Sequence, residues 1–283
     1  MSAFLQNTFI LLTTLSALLL PIAPAAHADP FPEDNAGEAA GEHERIYGEG
    51  EQKLPEDLYL LYRIVDRIAR ANNLDNEPWR VAIDNERVLN AYASEANLLT
   101  IYFGYLDQFA GNVSALACVV AHEMAHHTEQ HVSRSDVFIS EWAEKYGLGS
   151  SKFHRRAEEL WRTYEAEADI IGYEYAVTAG FDPEGCIRTT EVIARLPGGL
   201  QETTHPSATQ RRDAYEVLMA EQPAEQLRAL GQANLADSLP LTYDMLWDYN
   251  WLRINPAQGG DNVDDWNRLF PDTPIQPTVE TSE

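Results

Sequence analysis

At 283 residues and 45% hydrophobic content, the chain is long enough for one domain with a full core plus appendages. Its formal net charge is −25, with lysine only at 53, 145 and 152. So acidic a surface argues against nucleic-acid or anionic-membrane partners, which are themselves polyanions. Two cysteines, Cys118 and Cys186, are too few for a disulfide scaffold.

Residues 1–28 carry no charged side chain and contain the apolar run 8–20, followed by small residues up to Ala28. This reads as a secretory signal peptide cleaved after Ala28, which makes the protein periplasmic or secreted. The segment lacks the usual early Lys or Arg, and an uncleaved anchor is the alternative, although the run before Pro21 is short for a span. No Cys follows it, so a lipoprotein anchor is not indicated, and no later stretch is apolar enough to cross a bilayer. Residues 29–53, acidic and rich in Gly, Pro and Glu, read as a flexible lead-in. A main domain is expected at 54–220, a C-terminal helical extension at 221–270, and a flexible Pro-rich tail at 271–283.

Within the main domain, Leu58, Leu61, Ile64, Val65 and Ile68 repeat at helical spacing, predicting an amphipathic helix over 55–73. Short strands are predicted at 79–83, 88–93 and 97–103, then a short helix from about 105. Residues 113–131 predict an apolar helix, with Asn112 or Ser114 as cap and Leu116, Val119, Val120 and Met124 on its buried face. Further helices are predicted at about 152–178, after Asp182-Pro183, at 207–220 and at 223–236.

The apolar helix carries His122-Glu123-Met124-Ala125-His126, the pattern H-E-x-x-H. Residues four apart on a helix share a face, so both imidazoles reach one cation, and Glu123 is placed to act as general base on a water. A catalytic zinc needs a third protein ligand and an open position. Glu165 and Asp169 are four residues apart on a later helix, bordering its apolar stripe beside Gly172, where another helix can approach closely; Glu167 points away from Glu165. Carboxylates on a core-facing edge need a partner. Glu165 on the metal and Asp169 on the far nitrogen of a ligand His would supply one. A solvated acidic face, with Glu158, Glu159 and Glu174 nearby, is the competing reading. Cys118, one turn before His122, reads as a small core residue, with a thiolate ligand or a bridge to Cys186 as lesser alternatives. His127, His131 and His154 could touch the site. Trp247, Trp251 and Trp266 read as packing residues.

The ordered set H-E-x-x-H, E-x-E-A-D at 165–169, Gly-Phe-Asp-Pro at 180–183 and Thr-His-Pro-Ser at 204–207 resembles metallopeptidase family forty-eight, over roughly residues 55–215. The nearest likeness is to its soluble periplasmic BepA-like members. Asn90-Ala91-Tyr92-Ala93 is similar to the strand that precedes the site in that family, and His131 and Arg134 match an extension of the motif. The resemblance implies a predominantly helical α+β fold of the zincin (gluzincin) type, with a small antiparallel sheet beside the H-E-x-x-H helix. It implies one Zn2+ per chain on His122, His126 and Glu165, with Asp169 behind a ligand. It also implies Glu123, His205 and Arg211 as catalytic groups: His205 as a reversible fourth ligand or oxyanion contact, and Arg211 on the tetrahedral intermediate or a site carboxylate. The implied activity is zinc endopeptidase action on misfolded or misassembled envelope polypeptides, bound extended along the edge near 88–103. A zinc-containing chaperone or assembly factor is the alternative. The sequence departs from the family at Ser94-Glu95-Ala96-Asn97, at the edge of the substrate groove. It carries no tetratricopeptide array, and its segment from Arg134 to Glu158 is short for a plug over the site.

Overall fold

The computed structural model describes residues 30–32, 40–195, 205–236, 238–247 and 250–259. The expected signal peptide at 1–28 and the tail at 271–283 lie outside these residues. Among the described residues no helix is long and apolar enough to cross a membrane.

The elements run α1 (Ala40–Lys53), α2 (Glu56–Ala71), β1 (Trp79–Asp84), β2 (Ala91–Ser94), β3 (Leu98–Tyr102), α3 (Phe103–Gln108), α4 (Val113–Thr128), α5 (His131–Tyr146), α6 (Ser151–Thr178), α7 (Glu184–Ile193), α8 (Ala208–Glu221), α9 (Ala224–Ala236), β4 (Tyr243–Leu246) and β5 (Trp251–Ile254). The chain is thus predominantly helical with one small sheet, as the sequence implied.

Three expectations need correction. The sheet is mixed rather than antiparallel, in the order β2-β3-β1-β5-β4. β3 folds back between β2 and β1, so it pairs antiparallel with β2 and parallel with β1. Second, the region expected as a helical extension keeps α9 but then supplies β4 and β5. β5 pairs with β1, putting Leu252 and Ile254 into the core beside Trp79 and Val81; apolar alternation, not a helical period, governs 251–254. Third, part of the lead-in expected to be flexible is helix α1. Its Tyr47 hydroxyl donates to buried Asp66 on α2 at 2.7 Å, and Arg63 of α2 lies over the Tyr47 ring.

Asp66 is fully buried and also accepts from Arg70 (3.0 Å) and from the Leu241 backbone N–H (2.7 Å). One carboxylate therefore ties α1, α2 and the approach to β4 together, with its charge compensated. The main core lies between α2, α4 and one face of the sheet. Leu61, Ile64, Val65 and Ile68 of α2, Leu116, Val120 and Met124 of α4, and Leu99 and Ile101 of β3 are all buried there.

The helix predicted over 113–131 stops earlier. Asn112 caps its start, accepting from the Ala115 N–H. It ends at Thr128, and Gln130 takes a left-handed conformation (φ +56°) from which α5 departs in a new direction. No Gly or Pro marks this break.

Candidate metal centre

α4 and α6 cross at Gly172, where a β-carbon would lie 2.8 Å from both the nitrogen and the α-carbon of His122. Only a glycine allows backbones this close. The close crossing carries Glu165 and Asp169 up to the two histidines of α4. His122, Glu165 and Asp169 are buried, and the His126 side chain is only 11% exposed.

His122 Nε2 and His126 Nε2 lie 3.1 Å apart, and they stand 3.2 and 3.4 Å from the two carboxylate oxygens of Glu165. Nitrogen and oxygen ligands about 2.0–2.1 Å from a tetrahedral zinc lie roughly 3.3 Å from one another. The three side chains form a group that can hold a metal ion. Glu165 Oε2 is buried without an aligned hydrogen bond, although His205 Nδ1 approaches it to 2.6 Å, and His205 Nδ1 is unsatisfied too. Lone pairs crowded together without hydrogen bonds fit a cation better than they fit one another.

Behind His122 lies a layer of charged and polar groups, which its buried Nδ1 approaches without an aligned hydrogen bond. Its Nδ1 lies 3.0 Å from Asp169 Oδ1. Asp169 accepts a fork from Arg211, Nε at 2.8 Å and Nη2 at 2.5 Å, and a third bond from the Tyr215 hydroxyl at 2.7 Å. Burial pushes the Asp169 carboxyl up, but Arg211 and His122 outweigh it and hold it well below the ordinary aspartate range. Arg211 thus takes the carboxylate-pairing alternative of its two expected contacts, at the cleft wall. α8, which carries Arg211 and Tyr215, is set by a capping box in which Ser207 and Gln210 bond each other's backbone N–H.

His122 opens onto a small cleft lined by Asn90, Ala91, Tyr105, Glu123, Thr189 and His205 among others. Glu123 lines this cleft and is not one of the three clustered ligand side chains. β2, which carries Ala91, is an edge strand of the sheet beside it. Burial pushes the Tyr105 hydroxyl up to about 12, leaving it a neutral donor.

Sequence reasoning missed Tyr105 and Tyr215. Tyr215 is one helical turn after Arg211, a spacing that could have revealed it. It also underweighted the cysteines: Cys118 and Cys186 form a disulfide that ties α4 to α7 beside the cleft. This corrects the reading of Cys118 as a free core residue. His127 packs edge-to-face on Trp79, away from the cluster, and His154 is exposed next to Phe153. His131 does approach, on the far side of His126. Trp247 is 62% exposed rather than packed, and Trp266 lies outside the described residues.

Two histidines on one helix and a glutamate on a crossing helix thus make a candidate metal centre, with a further acid, Glu123, on the cleft wall. Residues 59–159 match the family model for peptidase family M48, so the likeness to family forty-eight holds. The chain is similar to the mitochondrial metalloendopeptidase OMA1 of Arabidopsis thaliana, 27% identical over 159 residues, covering 50% of this chain and 32% of that protein. It is similar to metalloprotease LoiP of Escherichia coli (strain K12), 25% identical over 162 residues, covering 50% of this chain and 64% of LoiP. A third relative, OMA1 of Schizosaccharomyces pombe, is 23% identical over 184 residues, with 59% and 54% covered. The chain spans less than two-thirds of each relative. Glu165, Asp169, His205 and Arg211 lie beyond the family match, so they join the site on geometry alone.

Proposed function

We propose that the protein is a zinc-dependent endopeptidase in which His122, His126 and Glu165 hold the ion and Glu123 is the general base. The observation that carries this reading is the convergence of the two imidazoles and the Glu165 carboxylate within 3.1–3.4 Å of one another. Zinc there would supply Lewis acidity toward a scissile carbonyl and make water easier to deprotonate. Glu123 takes the proton of the attacking water and returns it to the leaving amine. Tyr105, neutral at physiological pH, and His205 line the cleft as donors toward the developing oxyanion. The substrate lies extended and adds a strand to the open edge of β2.

Similarity to two metalloendopeptidases and a metalloprotease supports the reaction class. The apolar leader in the sequence and the Cys118–Cys186 disulfide both favour an oxidising, extracytoplasmic compartment. Misfolded or misassembled envelope proteins are the substrate class we assign. The Glu123→Gln variant should keep its metal and lose casein degradation; wild-type turnover in that variant would remove Glu123 from its role.

One contact favours a second reading. His205 stands at the open side of the cluster, 2.6 Å from Glu165. There it would occupy the position a substrate needs, as in a quiescent chaperone or assembly factor. If it does, His205→Ala should raise chelator-sensitive casein cleavage; an unchanged or lower rate argues against a blocking role.

A further inference from the structure

A second line of polar groups leaves the cluster on the far side of His126. His131 Nδ1 lies 3.0 Å from His126 Nδ1, and His131 Nε2 lies 3.1 Å from Glu167 Oε2. The His131 ring is fully buried and stacks on Tyr164, with centroids 4.2 Å apart and planes 10° from parallel. Arg134 stands over the Tyr164 ring at 4.9 Å and reaches to 3.9 Å from Glu167 Oε2.

Two neutral imidazoles that meet through Nδ1 need one donor and one acceptor. If His126 offers its Nε2 lone pair to a cation, its proton sits on Nδ1. His131 Nδ1 must then accept, so the His131 proton sits on Nε2, facing a carboxylate that accepts only. The two ends of the chain thus dictate the direction of every bond in it.

We propose that Glu167 and His131, with Arg134 anchoring the carboxylate, form a proton-ordered chain that positions His126 and selects the tautomer with a free Nε2. It would do for His126 what Asp169 does for His122. The proposal rests on reading the cluster as a metal centre. His131, Glu167 and Arg134 are positioning residues that act through His126.

The test uses the full chain loaded with zinc or cobalt. Long-range proton–nitrogen spectra of the zinc form should show His131 protonated at Nε2 and bare at Nδ1. In competition with a chelator, Glu167→Gln should weaken zinc binding about 10- to 100-fold, the range seen when a ligand histidine loses its partner. His131→Leu should do the same, and His131→Asn, whose side-chain oxygen can accept from His126, should recover part of the loss. Glu159→Gln, an exposed acid on the same helix, should leave affinity unchanged. Glu167 is partly exposed, so the melting temperature of metal-free Glu167→Gln should match wild type while its cobalt absorption bands shift. Wild-type affinity and cobalt spectrum in Glu167→Gln, or a His131 proton on Nδ1, would overturn the chain and leave the metal centre standing. A wild-type protein that binds no metal would overturn both.

Discussion

His122 and Asp169 set the electrostatics of the pocket. Burial alone would lower the His122 pKa, but the bonds to Asp169 and Glu165 outweigh it and raise it from 6.5 to about 10 in the metal-free chain. A raised folded pKa contributes stability that is complete below about pH 6.5 and lost as pH rises through about 10. Metal-free protein should therefore melt at a falling temperature between pH 7 and 10; a flat profile would show that the proton on His122 is not retained. Asp169 has the opposite sign. Its depressed pKa contributes stability above the ordinary value of 3.8 that disappears as pH falls below it. Asp169→Asn should lower zinc affinity about 10- to 100-fold, measured by chelator competition, because the neutral amide is a weaker acceptor for His122 and Arg211 loses its counter-charge.

Among the elements, the crossing of α4 and α6 brings the third ligand to the first two. Gly172→Ala would place a methyl 2.8 Å from the His122 backbone. The helices would have to separate, at a cost of about 1–3 kcal/mol for overpacking. Moving Glu165 by even about 1 Å would cost on the order of 10²-fold in activity. Denaturant titration and casein cleavage on Gly172→Ala measure the two effects. Near-normal turnover would mean that the helices yield elsewhere. The break at Gln130 matters as much, because an uninterrupted helix would carry His131 past His126 instead of back onto it.

The whole molecule is held by two ties that enclose long stretches of chain. The Cys118–Cys186 disulfide spans 68 residues, including α5 and α6. Loop-closure entropy predicts a contribution of about 4 kcal/mol. The double variant Cys118→Ala/Cys186→Ala should show a lower denaturation midpoint, and an unchanged midpoint would show that the bond is not formed in solution. Asp66 joins the N-terminal helices to the C-terminal strands. Its removal takes the buried carboxylate away from the Arg70 guanidinium, the Tyr47 hydroxyl and the Leu241 N–H at once, so Asp66→Ala should destabilise by about 3–5 kcal/mol in the same assay.

Local sequence determined the described helices other than α1 and α5, three of the strands, the H-E-x-x-H pair on one helical face, and Glu165 with Asp169 on another. Each of these follows from spacing along a single element, which obeys fixed 3.6- and 2-residue periods. Periodicity could not reveal that 251–254 would pair with 79–82 across most of the chain. Nor could it show that two cysteines 68 residues apart would meet, that Tyr215 would complete the bonds to Asp169, or that Glu167, pointing away from Glu165, would find His131. Those relations depend on which faces meet once α4, α5 and α6 pack together. Packing is settled by the summed burial of the whole core, a quantity that no single stretch of residues contains.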